Sequence, residues 1–367
     1  MKVELKLNKI DNYLSNKRWP ILISGPCSAE TEEQVMATAQ GLAAIKKVSI
    51  FRAGIWKPRT RPGAFEGVGE PGLLWLQNVK KETGLPVATE VANAQHVELC
   101  LKYGIDVLWV GARTTPNPFS IQEIADAMKG TDITLLVKNP VNPDIQLWLG
   151  ALERFNKAGI TKLGAIHRGV SNYEKSSFRN LPMWSMAIEL KRLLPELPII
   201  CDPSHIAGNR ELIPFIAQKA LDLDMNGLMI ESHINPDCAW SDAKQQVTPN
   251  QLADIIIDLV LRDTESKNKD FMTQLESLRK QIDEFDEEII SKISLRMQAA
   301  CKIGEYKRDN NVTILQVTRW EEILKKRVDF AKALGLSEKF TSNYLSLIHS
   351  ESIRIQTEIM NKSHVEE

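Results

Sequence analysis

Up to residue 249 the chain repeats one pattern. A short, nearly continuous apolar run is closed by glycine or polar residues and followed by a helix-like stretch. The runs are ILISG from Ile21, SIFRAG from Ser49, PVATEV from Pro86, VLWVGAR from Val107, ITLLVKN from Ile133, ITKLGAIHRG from Ile160, PIICDPSH from Pro198 and GLMIESH from Gly227. Strands that are apolar on both faces belong to parallel sheets covered by helices. Eight such units in succession predict an α/β fold, a (β/α)8 TIM barrel whose functional groups gather where the strands end. An open, doubly wound sheet is the alternative topology.

The grammar then changes. All 17 prolines lie at or before Pro249, and 17 of the 19 glycines at or before Gly227. Phe271, Leu275, Leu278, Ile282, Phe285 and Ile289 step by four and three, an apolar stripe on one helix face that predicts a helix running to about Arg308. Two more helical stretches, Val317 to Leu334 and Ser337 to Lys362, make the second half an all-α bundle. We expect a barrel domain over residues 1–262, a charged linker over 263–269 and a helical domain over 270–367.

Composition narrows the class. Lys and Arg number 46 against 47 Asp and Glu, a net charge of −1 that gives no overall footprint for nucleic acid or acidic membranes. Cys27, Cys100, Cys201, Cys238 and Cys301 are odd in number and widely spaced, which disfavours a disulfide framework. Together with the absence of a secretory-type or membrane-length apolar segment, this leads us to expect a cytoplasmic protein.

Polar residues at the predicted strand ends fall into two sets. Arg52, Lys57, Arg59, Arg113, Lys138 and Arg168 would aim several cations into one mouth, which needs small, multiply anionic substrates. Cys27, His205, Glu231 and the downstream Asp242 would converge if strand eight pairs with strand one. A thiolate, an imidazole and two carboxylates suit one divalent transition ion of the Mn, Fe, Co or Zn class. GVGEPG at Gly67–Gly72 matches the dinucleotide pattern formally but follows no strand and contains Pro71, so it carries no assignment.

GPCS at Gly25, RAGIWKPRT at Arg52, GAR at Gly111, HRG at His167, DPSH at Asp202 and the IESH and SDAKQ stretch from Ile230 to Gln245 resemble type Iβ 3-deoxy-D-arabino-heptulosonate 7-phosphate (DAHP) synthases. The resemblance implies metal ligation by Cys27, His205, Glu231 and Asp242. It further implies phosphoenolpyruvate binding by Arg52, Lys57, Arg113, Lys138 and Arg168, and erythrose 4-phosphate binding by Arg59 and Thr60. Related octulosonate 8-phosphate synthases resemble KANR where this chain has KPRT. Lys138-Asn139-Pro140 departs from the group's frequent Lys-Arg-Gly. Lys57, or a water near Glu90, is the candidate proton carrier.

In the second half, Arg296 and Lys307 are eleven residues apart and return to one helix side within about 20°. Arg279 lies about 25 Å away along the axis, so a shared pocket draws it from a partner chain. The spacing of Arg279, Asp283, Arg296, Lys307, Arg319, Ser352 and Gln356 resembles the all-helical chorismate mutase family, whose first helix is shared across a homodimer. By that resemblance Arg279, Arg296 and Arg319 bind two carboxylates, Lys307 and Gln356 contact the ether oxygen, and Ser352 helps hold a carboxylate. Gln316 and Trp320 stand where many members carry carboxylates that contact the substrate hydroxyl.

The joint expectation is a bifunctional shikimate-pathway enzyme with phosphoenolpyruvate, erythrose 4-phosphate and chorismate as substrates. It would form a homodimer or larger homo-oligomer, with allosteric inhibition of the barrel by prephenate or chorismate. Two alternatives are a barrel synthase whose helical tail only oligomerises or regulates, and a metal-free Schiff-base aldolase using Lys138.

Overall fold

The structure, a computed structural model, describes residues 4–9, 20–58, 63–173 and 176–361. Residues up to Thr264 and those from Glu265 form two compact units. Among the described residues, no helix is long and apolar enough to cross a membrane.

In the first unit eight parallel strands close into a barrel in sequence order. They are β1 (Ile21–Gly25), β2 (Ile50–Arg52), β3 (Val87–Val91), β4 (Val107–Val110), β5 (Thr134–Lys138), β6 (Leu163–His167), β7 (Ile199–Cys201) and β8 (Gly227–Glu231). Helices α1 (Glu32–Ala43), α2 (Pro71–Thr83), α3 (Ala94–Lys102), α4 (Pro118–Ala127), α5 (Ile145–Lys157) and α6 (Trp184–Leu193) each follow one strand. A short α7 (Pro203–Ala207) and α8 (Ile213–Asp222) follow β7, and α9 (Pro249–Asp258) follows β8. The expected eight strands and barrel closure are what the fold contains, so the open-sheet alternative falls.

Side chains in a strand alternate between faces, and that alternation builds both cores and the site. Leu22, Phe51, Leu108, Leu135 and Leu228 point outward into the layer between sheet and helices. Ile21, Ile23, Ile50, Ala88, Trp109, Leu136, Ile166, Ile200 and Met229 fill the barrel interior. Two residues beyond an interior apolar residue stands a polar one on the same face: Arg52 after Ile50, Glu90 after Ala88, Lys138 after Leu136, Arg168 after Ile166, Asp202 after Ile200 and Glu231 after Met229. The period of two therefore lifts six ionisable groups onto the carboxyl end of one apolar plug.

Closure depends on β1 lying flush with β8, with Ile21 opposite Gly227 and Gly25 opposite Glu231. Gly25 has φ +149°, and a Cβ there would stand 2.0 Å from the Arg52 carbonyl oxygen. No side chain fits between β1 and β2 at that level.

The second unit comprises α10 (Lys269–Asp309), α11 (Val317–Ala333) and α12 (Glu338–Asn361). Asn268 caps the 41-residue α10 by accepting from the Asp270 and Phe271 N–H groups. Gly304 lets α12 come close, since a Cβ there would lie 3.1 Å from Gln356 Cγ. The apolar stripe predicted on the first helix is present but uncovered in the single chain, with Phe271, Leu278, Ile282, Phe285 and Ile289 all 48–58% exposed. Ala300 and Ala331 are the unit's only buried apolar side chains among the described residues, whereas Thr341, Ser352 and Gln356 are buried and polar.

Gly25→Ala is expected to lower unfolding stability by about 1–3 kcal/mol or more, because overpacking meets backbone rather than a movable side chain. An unchanged denaturant midpoint would contradict the β1–β2 geometry.

Candidate active sites

The barrel mouth holds a cavity of 210 Å³ lined by Cys27, Arg52, Lys57, Glu90, Arg113, Lys138, Arg168, Arg179, Asn180, His205, Glu231 and Asp242, among others. Donor atoms of Cys27, Glu231 and Asp242 lie within 4.8 Å of one another. His205 stands beside this trio rather than inside it, with Nε2 3.8 Å from Glu231 Oε1 and Nδ1 2.8 Å from Asp202 Oδ2. Asp202 also caps α7 by accepting from the His205 N–H at 3.1 Å, so one carboxylate sets both the backbone and the ring of His205. Asp242 adopts φ +50°, which is costly for a residue with a side chain and marks a position held in place by its surroundings.

Cations hold the anionic donors in place. Arg52 Nη1 donates to Glu231 Oε1 at 2.8 Å, Gln245 Nε2 donates to Glu231 Oε2 at 2.7 Å, and Arg179 Nη1 donates to Asp242 Oδ1 at 3.0 Å. Lys57 Nζ lies 2.6 Å from Cys27 Sγ and 2.9 Å from Ser241 Oγ. Burial, and then the Glu231 carboxylate, push the Cys27 thiol up to about 12. Burial opposes ionisation of Asp242, but Arg179, His205 and Lys57 together outweigh it and hold the carboxyl well below the usual range. A metal ion would reverse the balance at Cys27, since a coordinated thiol loses its proton. One sulfur, one imidazole nitrogen and carboxylate oxygens in so small a volume fit a divalent transition ion.

The remaining cations form the wall. Lys138 Nζ pairs with Asp202 Oδ2 at 2.9 Å, and Arg52 lies over the Trp109 ring at 4.7 Å. Arg168 is buried, and its Nη1 donates to the neutral Asn180 Oδ1 at 2.7 Å. Burial pulls its guanidinium down to about 10. Such a desolvated cation is stabilised by an arriving anion. Arg113 is exposed at the mouth. Arg59 and Thr60 lie outside the described residues. Glu90 accepts from Trp109 Nε1 at 2.9 Å.

Arg179, Asn180, Gln245 and Trp109 were not singled out from sequence. Arg179 and Asn180 sit in the irregular stretch between β6 and α6, where no strand-end rule points to them. Gln245 lay in the SDAKQ stretch but carries no charge that would draw attention to it.

On the helical unit, Arg296 Nη1 donates to Ser352 Oγ at 2.5 Å, and Gln356 Nε2 donates to Ser352 O at 3.3 Å. Lys307 Nζ donates to Ile314 O. Arg319 pairs with Glu322 at 3.0 Å, and Arg279 with Glu276 at 3.8 Å, both exposed. Arg296, Ser352 and Gln356 thus come together within one chain, while Arg279 and Arg319 point their charges at neighbours on their own helices.

A sequence model of the DAHP synthetase I family matches residues 10–266. The chain belongs to that family. Residues 278–357 match the chorismate mutase type II model, so a DAHP synthase barrel is joined to a chorismate mutase domain, two enzyme families of the shikimate pathway. A phospho-2-dehydro-3-deoxyheptonate aldolase of Thermotoga maritima is 32% identical over 226 residues, 62% of this chain and 64% of that protein. A 2-dehydro-3-deoxyphosphooctonate aldolase of Paraburkholderia xenovorans is 29% identical over 275 residues, covering 68% and 93%. A crystal structure of the Thermotoga maritima DAHP synthase matches with a TM-score of 0.61 at 29% identity, over 69% of this chain and 71% of that one.

Cys27→Ala is expected to lower affinity for Mn²⁺ or Zn²⁺ by at least about 10- to 100-fold, by analogy with the loss of a supporting ligand contact. Equilibrium dialysis with metal analysis checks this, and unaltered metal binding would remove Cys27 from the ligand set.

Proposed function

We propose that the barrel condenses phosphoenolpyruvate with erythrose 4-phosphate to give DAHP and phosphate, and that the helical unit rearranges chorismate to prephenate. The observation that carries the first reading is the clustering of Cys27, Glu231 and Asp242 beneath a wall of cations. Cys27, His205, Glu231 and Asp242 would hold a divalent transition ion. A metal there supplies Lewis acidity toward the aldehyde oxygen.

The chain's own residues do the rest. Arg52, Lys138 and Arg168 bind the carboxylate and phosphate of phosphoenolpyruvate, and Arg113 and Lys57 close the anion from the mouth side. Neutralising two anionic substrates lets the enol carbon approach the aldehyde. Attack there, followed by water at the adjacent carbon, allows inorganic phosphate to leave. Lys57 Nζ, next to Cys27 Sγ and Ser241 Oγ, is positioned to move a proton at the aldehyde oxygen. The KPRT sequence, with Arg59 and Thr60 taking the second phosphate, supports erythrose 4-phosphate over a five-carbon aldose phosphate.

The second reading rests on Arg296, Ser352 and Gln356 meeting in one hydrogen-bonded cluster between α10 and α12. A pericyclic rearrangement needs no nucleophile. Fixed cations stabilise charge developing on the ether oxygen while the pocket holds the compact conformer. The uncovered stripe on α10 supports a homodimer in which a second copy covers it and brings Arg279 to the site. Five free thiols support a reducing, cytoplasmic setting.

With Mn²⁺ the protein is expected to consume phosphoenolpyruvate in the presence of erythrose 4-phosphate and to lose that activity with a chelator; chelator-resistant turnover would favour the Schiff-base alternative. Faster reaction with arabinose 5-phosphate would move the barrel to the octulosonate group. Arg296→Ala is expected to cut chorismate turnover by about 100-fold or more while metal content stays unchanged. Unaltered chorismate turnover, or none in the wild type, would leave the helical unit an oligomerisation or regulatory module.

A further inference from the structure

His349, Ser352 and Gln356 lie three and seven residues apart on α12 and so share one helix face. Arg296 of α10 reaches this face, donating to Ser352 Oγ at 2.5 Å and to Ile348 O at 3.5 Å, the residue just before His349. The His349 ring lies flat on Trp320 of α11, with centroids 4.0 Å apart and planes 9° apart. That stack fixes the plane of the imidazole, yet its Nε2 is buried without a hydrogen-bond partner among the described residues, and so is Gln356 Oε1.

Buried polar atoms are paired in the great majority of cases. Two unpaired ones on a single helix face, beside a partly desolvated guanidinium, outline a pocket that a ligand completes. Burial, and then the Arg296 and Lys307 cations, hold the imidazole below its ordinary range. It is therefore neutral near pH 7 and can accept or donate at Nε2.

Chorismate offers two carboxylates, an ether oxygen and one ring hydroxyl. The cations answer its anionic and ether oxygens. The hydroxyl needs a hydrogen-bond partner of its own, and at the two positions named above this chain offers only Gln316, which is exposed, and Trp320, whose indole N–H can only donate. Resting on the chorismate mutase reading above, we propose that His349 hydrogen-bonds the ring hydroxyl of chorismate through Nε2, with Trp320 as the plate that orients it. His349 then sets specificity for the hydroxylated substrate.

The test compares kcat/KM for chorismate and for its analogue lacking that hydroxyl, in the wild type, His349→Phe and His349→Gln. Phenylalanine keeps a ring to stack on Trp320 but has no nitrogen, and glutamine returns an amide that can pair with a hydroxyl. The wild type is expected to prefer chorismate by about tenfold or more. His349→Phe should lose that preference through a fall on chorismate alone, and His349→Gln should recover part of it. The analogue rate doubles as a folding control: an equal fall on both substrates, or no change on either, would overturn the proposal. A wild type inactive toward chorismate would instead defeat the reading beneath it, and the proposal with it.

Discussion

The pairing of β8 with β1 is the constraint on which the barrel site depends. It sets Glu231 opposite Gly25, two residues before Cys27, although the two lie some two hundred positions apart in the chain. Without closure, Cys27 would have neither Glu231 nor Asp242 near it, and Arg52 would lose the carboxylate that holds it. Gly25 is part of the same constraint, because its missing side chain lets β2 carry Arg52 up against β1.

Closure also concentrates charge in a place where water is scarce. Isolated buried ions are costly, and the structure compensates by interleaving signs: Arg52 with Glu231 and Lys138 with Asp202 in the interior, and the exposed Arg179 with the half-buried Asp242 at its edge. Arg168 is the exception among these buried groups, resting on an amide oxygen with no carboxylate in its hydrogen bonds. A mouth arranged this way favours an anionic ligand over the Arg168 side and a cation over the Cys27 side. The proposed binding of two phosphorylated substrates beside a divalent ion would satisfy both.

Much of this was legible in the amino-acid sequence, for a definite reason. Strands buried on both faces leave continuous apolar runs, so all eight strands could be read, and the period of two carries from Met229 to Glu231 or from Leu136 to Lys138 without knowledge of the fold. Likewise the four-three spacing from Phe271 runs through α10. What escaped was whatever neither period controls. Arg179 and Asn180 come from an irregular loop, and Gln245 and Trp109 are neutral groups that position charged ones. The imidazole of His349 gave no signal either, because a single histidine on a helix face becomes informative only when its ring stack and unpaired nitrogen are seen. Arg59 and Thr60, which bear on the choice of aldose, lie outside the described residues.

The helical unit poses the opposite problem from the barrel: most of its few buried side chains are polar and its apolar stripe faces outward, which is what the proposed homodimer and chorismate site would satisfy, whereas the barrel is completed by its own closure. In the barrel, a thiol from the first strand end stands with carboxylates from the last, placed to share one ion. Metal-edge X-ray absorption on the Mn²⁺- or Zn²⁺-loaded protein tests it most directly. One sulfur scatterer is expected, at about 2.3 Å if the ion is zinc, together with nitrogen and oxygen neighbours, and it should be lost in Cys27→Ser. A first shell of nitrogen and oxygen alone in the wild type would contradict it.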